Sequence, residues 1–322
     1  FMTVQPIDQY NYNKELKGIL FDIQRFSVND GPGIRTNLFF KGCPLRCKWC
    51  HNPESYTPGR QLSFQPSACT GCMACVLACT RGVNQVVSEG GRDLLAVDYS
   101  RCAACGECLK VCCYDARSII GREYTVGELK EQILVDQEYY RVKDGEGRTG
   151  GVTLTGGEPM SQFPFVERLL DELDGIHVCM ETSGFAPEEQ FARLLGKVDL
   201  FLFDCKATDP EKHRELCGVD NRLIQSNLKF LCDHGADIIL RLPLIAGLND
   251  DEAHFKAVAG LLERYPNIRR AEIMAYHNLG VSKADQIGMA GELWDQENTT
   301  AEQKEAWLMR FKRLGLTKIK IG

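Results

Sequence analysis

Apolar and polar positions alternate along most of this chain in two periods. Short apolar runs fall at residues 35–41, 151–155, 177–180, 198–203, 237–242 and 270–275, each of strand length. Segments with apolar positions three and four apart lie between the later runs, at 164–173, 188–195, 223–234 and 252–264, the spacing of an amphipathic helix. The tail adds a helix over 302–313 and a short strand over 318–321. Six strand–helix units in this order predict an α/β fold, a parallel sheet curled into a partial (β/α)6 barrel of TIM type.

One stretch breaks the pattern. Residues 61–121 hold few large apolar side chains but two cysteine runs of the same spacing. Cys69, Cys72, Cys75 and Cys79 form C-x-x-C-x-x-C-x-x-x-C, and Cys102, Cys105, Cys108 and Cys112 repeat it. This is the spacing of two-cluster bacterial ferredoxins, in which the fourth cysteine of each run ligates the other cluster. It assigns Cys69, Cys72, Cys75 and Cys112 to one 4Fe–4S cube, and Cys102, Cys105, Cys108 and Cys79 to the other. Thr80 and Cys113 stand where proline usually follows the fourth cysteine. Zinc is the weaker alternative. The chain therefore divides into a discontinuous barrel, 17–60 and 122–322, and an inserted ferredoxin-like domain, 61–121.

Composition changes the picture in one respect. Sixteen cysteines in 322 residues is high, and eleven fall into three tight clusters, so metal binding outweighs disulfides. The net charge of −6 favours neither nucleic acid nor an anionic membrane. No apolar run is long enough to span a bilayer. The start, 1–17, is polar and lacks the apolar core of a signal peptide, and Phe1 before Met2 reads as a vector remnant. A cytoplasmic monomer is expected.

The chemistry collects where the strands end. The first strand runs into Cys43, Cys47 and Cys50, spaced to hold three irons of a cube and leave the fourth open to a ligand. The second runs into Gly156, Gly157, Glu158 and Pro159, the third into Glu181, Thr182, Ser183 and Gly184. The fourth gives Asp204 and Lys206, the fifth carries Arg241, and the sixth gives Tyr276, His277 and Asn278. In parallel barrels such ends converge on one site. Singly, each has a plainer reading. Gly156-Gly157 is also a tight turn, Asp204 and Lys206 also an ion pair, and Trp49 also core filling. Arg241, buried in an apolar strand, needs an acidic partner or a ligand. Cys113, Cys179, Cys205, Cys217 and Cys232 read as buried thiols.

These residues resemble the radical S-adenosylmethionine (SAM) enzymes, and among them the glycyl-radical-enzyme activating enzymes. C-x-x-x-C-x-W-C over 43–50 matches the superfamily signature, D-G-P-G-I-R over 30–35 the activases' signature, T-G-G-E-P over 155–159 the methionine-binding motif, and D-C-K over 204–206 the activases' D-x-K. The resemblance covers residues 17–277. It implies that SAM binds the open iron of the Cys43/Cys47/Cys50 cluster and is reductively cleaved to a 5′-deoxyadenosyl radical. That radical takes a hydrogen atom from a backbone glycine of a partner enzyme.

Carried over by position, Gly156, Gly157, Glu158 and Ser183 belong to the methionine end of SAM, and Asp204, Lys206, Arg241 and His277 to its methionyl and ribose parts. Trp49 belongs to the adenine. Asp204 and Lys206 count with the cluster cysteines as catalytic. Glu181, Thr182, the Leu202 carbonyl and Asp204 match a Na+ or K+ site, and residues near Asp30 match the hold on the glycine-bearing peptide. The insert, absent from the simplest activases, implies three 4Fe–4S clusters in all. It points to a decarboxylase, dehydratase or C–N or C–S lyase as partner rather than pyruvate formate-lyase, with a flavodoxin or ferredoxin as electron donor. The competing reading is a radical SAM enzyme that acts on a small molecule with auxiliary clusters; residues 30–35 argue against it.

Overall fold

A computed structural model describes residues 16–145 and 147–322; most of the polar start, residues 1–15, lies outside it. The nine-stranded main sheet has the order β13-β12-β11-β10-β9-β8-β2-β1-β7. All six strands read from the sequence are present: β2 (Arg35–Phe40), β8 (Gly151–Gly156), β9 (His177–Thr182), β10 (Leu200–Asp204), β11 (Ile238–Leu244) and β12 (Ile268–Ala275). They pair parallel in that order, and β13 (Ile319–Ile321) adds a seventh parallel strand.

The sequence reading missed the other edge. β1 (Lys17–Ser27) and β7 (Arg122–Thr125) pair antiparallel beyond β2. The β1 segment KGILFDIQRFS mixes exposed, half-buried and buried positions with charged residues interspersed, so it lacks the apolar run of a central strand. β7 and β13 are the two edges of the sheet and are not paired, so the barrel is partial.

The parallel strands are not apolar on both faces, as such strands usually are. Outward positions Leu38, Phe40, Val152, Leu154, Val178, Met180, Phe201, Phe203, Leu240, Leu242 and Ile273 share one core. It includes residues of α5 (Phe163–Leu170), α6 (Glu188–Leu194), α8 (Arg222–Asp233), α9 (Glu252–Arg264) and α11 (Ala301–Arg313). Alternate positions Arg35, Asn37, Thr153, Thr155, Glu181, Asp204, Arg241 and Glu272 are polar, and Cys179, Leu200, Leu202 and Ile239 form a small apolar plug among them. Period-two alternation thus sends helix packing to one face and a polar network to the other.

That network also records the curl of the sheet. Asp30, on the loop entering β2, accepts a hydrogen bond from Arg241 of β11 at 3.0 Å. Four strand spacings separate β2 from β11, roughly 19 Å in a flat sheet. Asp30 also accepts from Asn37 and Ser27 and, through its carbonyl, from Thr153, which fixes this loop across the barrel floor.

The remaining segment leaves and returns through one two-stranded ribbon, β3 (Gln61–Phe64) against β6 (Arg117–Ile120). Buried Lys41 roots it, donating to Gln61 Oε1 at 2.8 Å and the Glu54 carbonyl at 2.6 Å. Beyond the ribbon lie the hairpin β4 (Asn84–Glu89)–β5 (Arg92–Val97) and two single-turn helices, α1 (Ala74–Ala78) and α2 (Glu107–Lys110). Gly90 and Gly91 both have positive φ at the hairpin turn, as a type I′ turn requires. The buried apolar cluster here is small, Leu62 with Cys75 and Cys108; Phe64, Val83, Ala104 and Ala116 are buried outside it. Among the described residues, no helix is long and apolar enough to cross a membrane.

Candidate active site

The loop after β2 carries Cys43, Cys47 and Cys50 and is held from four sides. Gly42 (φ +92°) donates to the Ser55 carbonyl at 2.6 Å and closes the loop on itself. Tyr56 Oη donates to the Cys47 carbonyl at 3.0 Å, with the Arg46 guanidinium 4.6 Å over its ring. The end of α7 (Pro210–Cys217) accepts from the loop on either side of Cys47: Arg46 N–H to the Cys217 carbonyl at 2.8 Å and Lys48 N–H to the Leu216 carbonyl at 2.9 Å. α10 (Leu279–Gln286) lies against Cys50 so closely that a Cβ on Gly280 would sit 2.0 Å from the Cys50 carbonyl. Its Lys283 donates to Asn52 Oδ1 at 3.0 Å and Glu54 Oε1 at 2.8 Å.

The three thiols gather in one apolar cluster with Trp49, Leu45, Leu216, Cys217, Ile245 and Tyr276. Burial pushes Cys50 up to about 12 and raises Cys43 still further, each also repelled by Cys47. Cys47, within hydrogen-bonding reach of Cys217 and buried, is held well above the usual thiol range. Such thiols become thiolates only against a strong local cation, and an iron–sulfur cube supplies one. The donor set therefore fits the cluster read from the spacing.

The glycine loop after β8 is built against this cysteine loop. A Cβ on Gly156 (φ +113°) would lie 2.4 Å from the Phe40 nitrogen, and one on Gly157 would lie 2.5 Å from the Gly42 carbonyl. Gly157 donates to the Phe40 carbonyl at 2.9 Å, and Glu158 donates its N–H to the Gly42 carbonyl at 2.8 Å. The two glycines thus serve backbone approach to the cysteine loop, a use the sequence reading did not foresee.

The Glu158 side chain is committed within the protein. Its buried carboxylate accepts from Met160 N–H, Thr182 Oγ1, Ser183 N–H and Ser183 Oγ. With four donors inside the protein it has no spare capacity for a ligand, and it holds the β8 and β9 loop ends together. The Ser183 and Thr182 hydroxyls are spent on the same contact, Thr182 Oγ1 also accepting from Gly184 N–H at 3.0 Å. These side chains brace the two loop ends against each other.

The inner wall carries the charge. Lys206 donates to Asp204 at 2.6 Å just past the end of β10. Burial alone would lower the Lys206 ammonium, but Asp204, with Cys47 and Cys217, more than reverses this and holds it well above its usual range. Arg241 finds its acidic partners within the protein: Glu181 at 2.8 Å, Asp30 at 3.0 Å and Glu272 at 3.9 Å. Glu181 also accepts from Thr155; its burial raises its carboxyl, and Arg241 opposes the rise. Glu181 lies beside Leu202, and Asp204 beside Arg241, across the strand register.

His277, after β12, stacks on His51 with ring centroids 3.7 Å apart and 22° between planes. His51 Nε2 and His277 Nδ1 are buried without a partner, so both face unfilled polar demand beside Cys50. His51, Tyr56, Gly280 and Lys283 were not singled out from the sequence, and Cys217 was read there only as a buried thiol, which it is. Only the fold brings them to the site, and none belongs to a spaced set. Of the remaining cysteines, Cys179 and Cys232 are buried as expected, whereas Cys205 is half-buried and Cys113 exposed.

In residues 61–121 one cavity is lined by Cys69, Cys72, Cys75 and Cys112, and another by Cys79, Cys102, Cys105 and Cys108. Each run thus lends its fourth cysteine to the cavity of the other. The two runs also share a backbone. Gly71 (φ +73°) matches Ala104 (φ +51°), and Met73 (φ +60°) matches Gly106 (φ +85°). These left-handed residues turn the chain around the sulfurs: Gly71 N–H lies 3.5 Å from Cys69 Sγ and Ala104 N–H 3.4 Å from Cys102 Sγ. α10 reaches this segment too, its Gln286 carbonyl accepting from Tyr99 Oη at 2.8 Å.

Comparison with known proteins agrees with this geometry. The family model "Radical SAM superfamily" matches residues 110–257. The chain is 36% identical over 295 residues to the indoleacetate decarboxylase activating enzyme of Tractidigestivibacter scatoligenes, covering 88% of this chain and 90% of that one. It is 38% identical over 279 residues to the choline trimethylamine-lyase activating enzyme of Oleidesulfovibrio alaskensis, covering 85% and 88%. Among solved structures, Streptococcus suis SuiB bound to precursor peptide SuiA matches with TM-score 0.51 at 11% identity, over 87% of this chain and 46% of that one, a likeness of fold.

Proposed function

The chain belongs to the glycyl-radical-enzyme activating enzymes of the radical SAM superfamily, and on that premise we propose that Cys43, Cys47 and Cys50 hold the 4Fe–4S cluster that binds SAM and that the site activates a partner's glycine. When bound, the cluster and SAM supply one-electron cleavage of the sulfonium to methionine and a 5′-deoxyadenosyl radical, which removes a hydrogen atom from a backbone glycine of the partner. The observation that carries this reading is the gathering of the three cysteines in one buried apolar cluster at the end of β2, against the Gly156-Gly157 loop.

This chain's residues position and shield. Trp49, Leu45, Ile245 and Tyr276 exclude water from the cysteine loop. The backbone of residues 156–158 would hold the methionine end of SAM. Lys206, its charge kept by Asp204, would hold its methionyl part, and His277 its ribose. Arg241 sets the floor through Asp30 and Glu181 and so acts on the ligand through those carboxylates. A Na+ or K+ ion at Glu181, Thr182, Leu202 and Asp204 would compete with Arg241 and Lys206 for the two carboxylates. The Thr182 hydroxyl is already committed to Glu158, so we assign no ion there.

Residues 61–121 form, in this reading, a ferredoxin-like domain inserted in the barrel of 17–60 and 122–322. It holds two further 4Fe–4S clusters that pass electrons inward from a flavodoxin or ferredoxin. The two four-cysteine cavities with crossed fourth ligands support it. The relatives compared act, by name, with a decarboxylase and a lyase at nearly equal identity, so the partner class stays broader than either. The test is anaerobic reconstitution, reduction, and mixing with SAM and a panel of glycyl radical enzymes. A glycyl radical on one of them by electron paramagnetic resonance is expected. SAM cleavage with no such radical on any decarboxylase, dehydratase or lyase offered would overturn the reading.

A further inference from the structure

A fourth thiol adjoins the three-cysteine loop. Cys217, the last residue of α7, is 0% exposed and packs in the same cluster as Cys43, Cys47, Trp49 and Cys50. Its place is set by main chain. The helix end leaves carbonyls without intrahelical partners, and the cysteine loop satisfies two of them, those of Cys217 and Leu216, through the N–H groups of Arg46 and Lys48. These two bonds bracket Cys47. Gly218 (φ +84°) ends the helix, and a Cβ there would lie 3.3 Å from Arg46 Cβ, so the helix end and the loop are in contact along their backbones. The two backbone bonds and the shared cluster set the Cys217 side chain beside the loop at Cys47.

We propose that Cys217 is a positioning residue for the site cluster: its S–H donates a hydrogen bond to the Cys47 sulfur and so raises the cluster's reduction potential. This deepens the Proposed function and rests on its assignment of Cys47 as a cluster ligand. The direction of the bond follows from chemistry. A coordinating thiol has lost its proton, so only Cys217 retains one to give. A donor to a ligating sulfur stabilises the more negative, reduced state, and hydrogen bonds to cluster sulfurs are among the terms that set such potentials. S–H is a weak donor, but here it is held dry and in place by two backbone bonds.

The test is a reductive titration followed by electron paramagnetic resonance, reading the cluster signal that changes on SAM addition, for wild type, C217S, C217V and C217A. The serine variant keeps a donor, so its midpoint stays near wild type or moves positive. The valine and alanine variants lose the donor and move negative. A packing role predicts another order, with valine, near cysteine in volume, at the wild-type midpoint and serine away from it; that result overturns the proposal. A second readout needs no cluster. In the iron-free chain, diamide should take two electrons and two protons from Cys47 and Cys217 and join them in a disulfide, found by peptide mass spectrometry; no such pair means the sulfurs are not adjacent. If no cluster signal responds to SAM while the disulfide forms, the cluster assignment fails, and this inference with it.

Discussion

The Glu158 carboxylate accepts the backbone N–H of Ser183 at 2.8 Å, and with the bonds from the Thr182 and Ser183 hydroxyls this fastens the end of β8 to the end of β9. A motif glutamate thereby serves as the clamp between two loops, and its carboxylate is fully used.

Glu158→Ala should therefore act on architecture first. It strands the donors of Met160, Thr182 and Ser183 in a buried place. The expected loss is about 2–4 kcal/mol in denaturant unfolding, from buried polar groups left unpaired. SAM affinity should fall with it. Unchanged stability together with lost SAM binding would instead mark Glu158 as a direct ligand.

Arg241→Met leaves Asp30 and Glu181 facing each other in the floor without their cation. Removing one member of a buried ionic group costs about 3–5 kcal/mol. Arg241→Lys should recover only part, since an ammonium does not reproduce the guanidinium fork. Adding Asp30→Asn to Arg241→Met should restore some stability. Strict additivity in that double-mutant cycle would refute the coupling.

Cys79→Ala and Cys105→Ala should give one spectroscopic phenotype, and Cys112→Ala and Cys72→Ala another, because the fourth cysteines cross between cavities. Each should retain about eight of about twelve irons per chain after anaerobic reconstitution. Grouping of Cys79 with Cys72 would refute the crossed arrangement.

Ala104 holds φ +51° where the companion run has Gly71. Ala104→Gly should therefore stabilise this segment by about 1 kcal/mol, by removing left-handed strain. The readout is slower loss of the cluster absorbance on heating. Gly71→Ala should do the reverse.

His254 sits far from the cysteines, 3% exposed, with Nδ1 at 3.1 Å from Thr208 Oγ1 and Nε2 unpartnered. Burial lowers its pKa to about 4, against the pull of Asp251. The unfolded chain then binds the proton more readily, so its contribution is complete above the ordinary histidine range and is lost as pH falls through 6.5 toward 4. Linkage gives a loss of about 2 kcal/mol between pH 7 and 5. His254→Gln should flatten that part of the stability profile, and an unchanged slope would refute it.

The polar–apolar pattern by itself determined the six parallel strands and four of the helices between them, because period two and period 3.6 are local properties of the chain. It also determined both duplicated cysteine runs and the cysteine loop, since metal ligands close in sequence leave their spacing on the page. β1 and the edge strand β7 escaped it because strands with many exposed and half-buried positions carry little apolar signal. So did α10, whose purpose shows only in Gly280 against Cys50 and Lys283 against Glu54. Tertiary structure alone decided that Glu158 clamps two loop ends, that Arg241 answers to protein carboxylates, and that the end of α7 at Cys217 binds the backbone on either side of Cys47. Each of those is a meeting of residues far apart in sequence. The curl of the sheet and the docking of a helix end create such meetings, and no local spacing records them.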